Sequence, residues 1–180
     1  MVQLHKQIDL YKERAWRVIT YNAHLSENGS TGLYTLSTGS DLRYLTFSTL
    51  LSTDEFVNMA IPYNEYRIHK AVFTSLSPTR TDRIPYLYVN VEPSNTAANP
   101  NNVRLCASDT ARIFSPRALL PEAVEYDLRG VGTTTNIWID TGSTNIAGQF
   151  NIGNYINGTL PSTINWEVKF QLIIEFTNPK

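Results

Sequence analysis

One segment of the chain carries a catalytic signature, residues 138–143 with the sequence WIDTGS. Two apolar residues followed by Asp-Thr-Gly-Ser are typical of aspartic proteases, in which two such carboxylates share one proton. The motif occurs once, so Asp140 could act only across a homodimer, and the chain after Gly142 lacks the second apolar strand ending in glycine that this fold needs. The same residues also make an ordinary turn after a short strand, so a dimeric aspartic protease is a minor alternative.

Other residue types that carry chemistry are scattered through the sequence. His5, His24 and His69 lack the spacing of metal ligands, and Cys106 alone can neither complete a zinc site nor form an internal disulfide. The sequence contains no nucleophile elbow, phosphate-binding loop or dinucleotide fingerprint. We therefore expect a protein without enzymatic activity, metal or cofactor.

The composition describes a polar but weakly charged surface. Hydrophobic residues make up 42% and charged residues 17% of the 180 positions, and the net charge is −1. Asn, Thr and Ser take the place of charge, which is common where subunits pack together and in extracellular β-proteins. The single cysteine favours a reducing compartment, and neither a signal-peptide pattern nor an apolar run of membrane length is present. The sequons at Asn28 and Asn157 are expected to be turns.

The last predicted strand, Thr163 to Thr177, is the element that the others must accompany. Its apolar residues fall on every second position, and the positions between them are polar except for Ile173. This period of two predicts an extended strand with one apolar face. A strand this long needs an equally long sheet beside it and a second sheet beneath it. The apolar positions are Ile164, Trp166, Val168, Phe170, Leu172, Ile174 and Phe176.

Shorter segments with alternating or β-branched residues supply the partner strands. They are residues 15–23, 32–38, 42–51, 66–77, 84–91, 124–128, 137–139 and 149–156. In the segment 66–77, one face is expected to carry apolar residues interrupted by Lys70 and Thr74. Those apolar residues are Tyr66, Ile68, Val72 and Leu76.

One short helix is predicted between the third and fourth strands. Ser52 can cap it, Glu55 follows three residues later, and Pro62 ends it. About eight strands, one short helix and long loops predict an all-β protein, an eight-stranded antiparallel jelly-roll sandwich. Residues 1–14 show no clear period and are expected to form an arm or a short helix, which precedes one jelly-roll domain over residues 15–180.

The segment 63–78, YNEYRIHKAVFTSLSP, resembles the fourth jelly-roll strand of capsid proteins from small circular single-stranded DNA viruses, the circovirus-like group. The order of the other elements is also similar, with a helix before this strand, a long irregular middle and a long alternating last strand. The matching positions are Tyr63, Tyr66, Arg67, Ile68, Lys70 and Pro78.

This resemblance implies that the protein is a structural subunit. Copies would assemble into a small icosahedral shell, expected to be T=1, that encloses single-stranded DNA. The protein would be found in the virion and in the host cell nucleus, and no membrane would be involved. The family usually begins with an Arg-rich arm, whereas the first 20 residues here hold four basic and two acidic residues. Either the arm is missing from this chain, or the genome is packaged differently.

The resemblance also implies which residues contact the nucleic acid, because the family directs its N-terminus inward. For any one candidate, an ordinary solvated or subunit-pairing charge is the more common interpretation. Lys70 interrupts an apolar face, so we expect it to reach the rim or to pair with a buried carboxylate. The candidates are Lys6, Lys12, Arg14, Arg17, Arg67 and Lys70.

A lectin-like β-sandwich remains the main rival interpretation, in which exposed Tyr and Asn in long loops would bind carbohydrate. Aromatic residues on strands belong more often to a core or an interface than to a stacking site. Size would separate the rivals, because a shell is a megadalton particle and a lectin is a monomer or small oligomer. The candidate stacking residues for sugars or bases are Tyr63, Tyr66, Tyr86 and Tyr88.

Overall fold

Over the described residues, the computed structural model contains ten strands, two short helices and one helical pair of residues, Arg104 and Leu105. The model describes residues 14–27, 34–36, 42–78, 86–92, 99–101, 104–105, 107–118, 120–128, 137–154 and 165–180. The helices are α1 (Phe47–Leu51) and α2 (Asp54–Ala60). The strands are β1 (Ala15–Glu27), β2 (Tyr34–Leu36), β3 (Tyr44–Thr46), β4 (Tyr63–Pro78), β5 (Leu87–Glu92), β6 (Arg112–Phe114), β7 (Glu122–Asp127), β8 (Ile139–Asp140), β9 (Gln149–Gly153) and β10 (Asn165–Pro179).

Eight of these strands form two stacked antiparallel layers, in the orders β1-β10-β4-β7 and β3-β9-β5-β6. The remaining two extend the first layer, since β2 pairs with the end of β1 and β8 pairs with the start of β4. Along the chain the strands cross repeatedly between the layers, which is the connectivity of a jelly roll. The predicted all-β jelly-roll sandwich is therefore confirmed.

The central strand β10 lies between β1 and β4 and covers the core with its predicted apolar face. Phe170 joins the two layers, because its ring centroid lies 5.3 Å from that of Phe73 on β4 and 5.1 Å from that of Phe150 on β9. The indole nitrogen of the buried Trp166 donates to Ser75 Oγ at 2.9 Å. The buried apolar residues of β10 are Trp166, Val168, Phe170, Leu172, Ile174 and Phe176.

The helical region departs from the prediction in two ways. The strand expected over residues 42–51 ends at Thr46, whose hydroxyl accepts from the Thr49 amide and starts α1, so an additional helix precedes the predicted one. Thr53, not Ser52, caps α2. Glu55 does not close a capping box but accepts the Thr20 amide at 2.9 Å, so that α2 covers the free edge of β1.

A β-bulge in β4 corrects the predicted face of that strand. Ile173 pairs with Lys70 and the next residue of β10, Ile174, pairs with Ile68, so His69 is the extra residue. Because one inserted residue exchanges the two faces of a strand, the core receives Ala71 and Phe73 instead of Lys70 and Val72. Lys70 therefore lies on the outer face of the sheet, where it pairs with the exposed Glu125 and not with a buried carboxylate.

Several predictions fall outside the described residues. The predicted arm lies there except for Arg14, as do Asn28 and Asn157. The short strand β6 was not predicted, because prolines and polar residues on both sides obscure its pattern. Over the part of the chain that is described, no helix has the length and hydropathy to cross a membrane.

Candidate nucleic-acid interface

A row of four side chains crosses the outer face of the larger sheet near the start of β1. Trp16 on β1 pairs in register with Glu175 on β10, and Glu175 pairs with Arg67 on β4. Trp138, which precedes β8, lies beside Arg67, with the guanidinium carbon 4.7 Å from the centre of the indole ring. Two tryptophans therefore flank a central ion pair. We call these four residues, together with Arg14 and His69, the Glu175 cluster.

Glu175 is buried although it points away from the core. Arg67 Nη2 and His69 Nε2 contact its Oε2 at 2.9 and 2.7 Å, and Arg14 Nη1 contacts its Oε1 at 3.2 Å. These side chains lie over the carboxylate and leave its side chain only 1% exposed. Each donor is supplied by a different position, which explains how a carboxylate on an outer sheet face can be excluded from water and still be satisfied.

The hydrogen bonds fix the role of His69. Its Nε2 lies 2.7 Å from the Glu175 carboxylate, so this nitrogen carries the proton and donates. Arg67 Nε donates to the same oxygen at 2.9 Å. Arg67 Nε and His69 Nε2 lie 3.0 Å apart because both donate to this one oxygen atom. Arg67 and His69 can reach the same carboxylate because residues two apart lie on the same face of a strand, and the register places Arg67 opposite Glu175.

The electrostatics of the Glu175 cluster favour the ionised acid. Burial alone would raise the pKa of Glu175, but hydrogen bonds from His69 and Arg67, and the charges of Arg67 and Arg14, lower this pKa below its ordinary value of 4.5. The carboxylate neutralises one of two guanidinium groups, and the other leaves a positive excess. The cluster is thus a positively charged corner built around a hidden negative charge.

The structure brings together only part of the predicted cation set. Arg14 and Arg67 meet at Glu175. Arg17 is exposed and donates to the Trp16 carbonyl at 2.9 Å, but it pairs in register with the core-facing Ile174 and so lies on the other face of β1. Lys70 is farther along the sheet and is paired with Glu125. Lys6 and Lys12 lie outside the described residues. A basic region is therefore confined to the corner near Trp16 instead of covering the outer face of the sheet.

The residues of the resembling segment have different structural roles. Tyr66 and Ile68 belong to the core, and the Tyr66 hydroxyl donates to the Ser143 carbonyl at 2.7 Å. Burial raises the pKa of Tyr66 well above its ordinary value, so its hydroxyl stays protonated. Tyr63 stacks on Phe176 at 5.3 Å, and Pro78 ends β4 opposite Trp166. Tyr63 and Tyr66 are therefore packing residues and not stacking platforms.

Four members of the Glu175 cluster were not identified from the sequence as site residues: Trp16, His69, Trp138 and Glu175. Trp16 was part of a predicted strand, but nothing local shows that its ring remains 52% exposed. His69 and Glu175 are separated by 106 residues and meet only through the register of β4 and β10. A glutamate between Ile174 and Phe176 on the central strand is the one signal in the sequence that could have drawn attention to this position.

The aspartic protease motif forms a turn. The exposed Asp140 accepts the Gly142 amide through Oδ1 at 2.7 Å, and Thr141 Oγ1 donates to the Tyr63 carbonyl at 2.9 Å. Asp140 thereby closes the turn that follows β8, and Thr141 attaches this turn to the start of β4. This is the turn interpretation of the motif.

The outer face of the smaller sheet bears a cavity of about 490 Å³. Its lining residues include the polar Asn90, Glu92, Asn151, Arg104 and Ser108. Among the described lining residues no aromatic ring is present on which a sugar could stack. His, Cys, Asp and Glu form no metal-binding group of three or more in the described ranges.

Comparison with known proteins gives similarity in structure but not in sequence. No protein-family model matches the chain, and no curated protein matches it. The capsid protein of Penaeus vannamei nodavirus, in a T=1 subviral particle of a deletion mutant, superposes with a TM-score of 0.61 and 14% identity, covering 93% of this chain and 98% of that one. The BFDV capsid protein, solved as a 60-mer, gives a TM-score of 0.58 and 14% identity, covering 93% and 95%.

A third similar structure, mud crab tombus-like virus, gives a TM-score of 0.60 and 10% identity, covering 94% of this chain and 91% of that one. The similar structures therefore include the circovirus BFDV but extend to capsids of other viruses, among them RNA viruses, and they do not single out the circovirus-like group. Identities this low establish the fold alone. The chain has the jelly-roll fold of viral capsid proteins.

Proposed function

We propose that this protein is a viral capsid subunit that assembles with copies of itself into an icosahedral shell, with T=1 as the expected geometry. The observation that carries the proposal is the extent of the structural similarity. It spans 93% of this chain and at least 95% of two capsid chains that were solved in a T=1 particle and in a 60-mer.

The distribution of exposed apolar residues supports an assembling subunit. Large exposed hydrophobic side chains occur on β1, on α2, beside β5, on β6 and in loops, instead of forming one patch. A subunit of a closed shell meets neighbours on several sides, so it needs several separate contact surfaces. These residues are Trp16, Val18, Val57, Ile61, Tyr86, Ile113, Leu120 and Ile137.

The shell would enclose single-stranded nucleic acid, with DNA as the type implied by the resemblance of residues 63–78. Binding would be electrostatic and largely independent of sequence. Arg14 and Arg67 would contribute from the positive corner and Arg17 from the other face of β1, and Lys6 and Lys12 precede these residues in the chain. Lys70 would contribute little, because Glu125 neutralises it. The protein would reside in the virion, and in the host nucleus if the genome is DNA replicated there.

Assembly can be measured on the purified full chain. Size-exclusion chromatography with light scattering should give particles of about 1.2 MDa for sixty subunits of 20.3 kDa, and negative-stain microscopy should show round shells. Nuclease digestion of the extracted contents, with DNase and RNase in parallel, identifies the nucleic acid. A protein that remains a monomer or small oligomer at all concentrations and ionic strengths would refute the capsid function.

A further inference from the structure

We propose that Trp16 is a stacking platform for an unpaired nucleobase, and that Arg14 and Arg67 beside it bind the flanking phosphates of a single-stranded nucleic acid. This inference rests on the proposed function and adds a defined contact site to it. The site is the corner of the larger sheet where β1 begins, on its outer face.

The Trp16 side chain is exposed to solvent but held in place by its neighbours. It is 52% exposed on a regular strand, and its centroid lies 4.3 Å from that of the His69 ring, with the planes tilted by 47°. His69 is itself held by Glu175. The indole is therefore fixed in position before any ligand arrives, while much of its surface is open to solvent. Stacking on such a ring requires little loss of side-chain freedom.

The charges that are accessible at this corner are positive. The Glu175 side chain is 1% exposed, whereas the side chains of Arg14 and Arg67 are 52% and 27% exposed. A ligand approaching the corner thus meets guanidinium groups and not the carboxylate that holds them. An accessible surface of this kind is complementary to a polyanion.

The spacing of Arg14 and Trp16 suits a phosphate and its adjoining base. Arg14 and Trp16 are two residues apart at the start of an extended strand, so they lie about 7 Å apart on the same face. One side chain can then contact a phosphate while the other stacks on the adjoining base. Exposed rings interleaved with cations are the arrangement by which proteins bind single strands without sequence preference.

The competing occupant of this corner is a second copy of the protein. A two-fold contact would place Arg14 and Arg67 of one copy against the same cations of the other, and no exposed carboxylate of the Glu175 cluster is available to compensate them. Charge complementarity therefore favours nucleic acid. Glu175 and His69 are positioning residues in this arrangement, since they hold the ring and the guanidinium groups without facing the ligand.

The test compares Trp16→Ala, Trp16→Phe and Arg14→Ala in the full chain. Binding of a fluorescent 12-nucleotide single strand is followed by anisotropy against salt, below the protein concentration at which light scattering detects particles. Trp16→Ala should weaken binding about 5- to 100-fold, the effect of one stacked base, with an unchanged salt slope. Trp16→Phe should bind within about 3-fold of the unmodified protein. Arg14→Ala should reduce the slope of log K against log salt by about 0.7.

Tyr86→Ala is the matched control, because Tyr86 is 55% exposed but belongs to the other sheet. It should leave affinity and salt slope unchanged. Circular dichroism and melting temperature verify that each variant is folded. As an independent measurement, the oligonucleotide should quench tryptophan emission in the unmodified protein and much less in Trp16→Phe.

The inference is overturned if Trp16→Ala binds as tightly as the unmodified protein, or if Tyr86→Ala weakens binding equally. It is also overturned if folded Trp16→Ala keeps its affinity but no longer assembles, because the corner is then a contact between copies. Shells that form normally while Trp16→Ala keeps its affinity refute this inference alone. Loss of affinity in Trp16→Ala of a protein that forms no shells would support stacking and refute the capsid function.

Discussion

At the scale of single residues, Glu175 organises the candidate site, although the sequence around it gives little indication of this role. Its carboxylate receives Arg14, Arg67 and His69 and is almost fully withdrawn from water. A buried carboxylate with several donors is costly to disturb from either side, because each partner that remains would be left without its counter-charge. Glu175 is therefore the residue whose replacement should reveal the cluster most directly.

Glu175→Ala is expected to lower the free energy of unfolding by about 3 kcal/mol, because the donors of Arg67 and His69 lose their shared acceptor. Urea denaturation of the unassembled chain followed by circular dichroism measures this change. Glu167→Ala is the matched control, since Glu167 lies on the outer face of the same strand but is exposed. Its effect should stay within about 0.5 kcal/mol. Equal effects of the two substitutions would contradict the role of Glu175.

The same carboxylate predicts a response to acid. Because the pKa of Glu175 is lower in the folded protein than its ordinary value of 4.5, its ionisation stabilises the fold fully above about pH 4.5. This contribution is lost as the pH falls through the lowered pKa. The melting temperatures of the unmodified protein and of Glu175→Gln should therefore differ at pH 7 and converge toward pH 3. A difference that stays constant over this range would show that the carboxylate is not ionised in the fold.

At the scale of elements, the bulge in β4 determines which side chains enter the core and which reach the outer face. Before His69 the core residues of β4 are Tyr66 and Ile68, and after it they are Ala71 and Phe73. The inserted residue is His69 itself, and its ring contacts Glu175. One irregularity therefore places part of the core and part of the Glu175 cluster at once.

Two substitutions on either side of this exchange test it. Ala71→Lys should destabilise the protein by more than about 3 kcal/mol, because Ala71 is fully buried and has no room or partner for a charge. Lys70→Ala should cost less than about 1 kcal/mol, because it removes only a solvent-exposed pair with Glu125. Urea denaturation measures both. The reverse order would mean that β4 continues without a bulge and that Lys70 faces the core.

At the scale of the whole molecule, the Phe170 side chain lies between the two layers and contacts both. Its ring contacts Phe73 in its own sheet and Phe150 in the facing sheet. Such contacts between the two sheets stabilise the jelly roll. Every surface that a neighbouring copy could recognise depends on this packing. Stability of the subunit and assembly should therefore fail together when this contact is lost.

Phe170→Ala is expected to cost about 3–5 kcal/mol, which is a large part of the stability of an ordinary domain, and to reduce the yield of particles. Phe170→Leu keeps most of the buried volume and should cost less than half as much. Denaturation of the subunit and particle counts by negative stain are measured on the same preparations. Normal particles from a subunit with unchanged stability would show that the layers are not joined at Phe170.

Much of the architecture could be predicted from local periodicity. The alternation of β10 identified its buried face, and the pattern of β1, β4, β5, β7 and β9 indicated their existence, because side chains on a strand alternate with a period of two wherever one face is buried. Arg14 and Arg67 were also singled out as candidate contacts before their meeting at Glu175 was known. These features depend on short stretches of sequence or on resemblance to a known strand.

The tertiary structure alone decided the rest. The bulge at His69 depends on how β4 registers against β10, and a period of two cannot reveal a single inserted residue whose effect is to exchange the faces. The burial of Glu175 depends on side chains from β1 and β4, which are distant in sequence and become neighbours only when both strands pair with β10. The alternating pattern of a strand specifies which of its faces is apolar. Which polar side chains meet on the other face is determined only by pairing between strands that are distant in sequence.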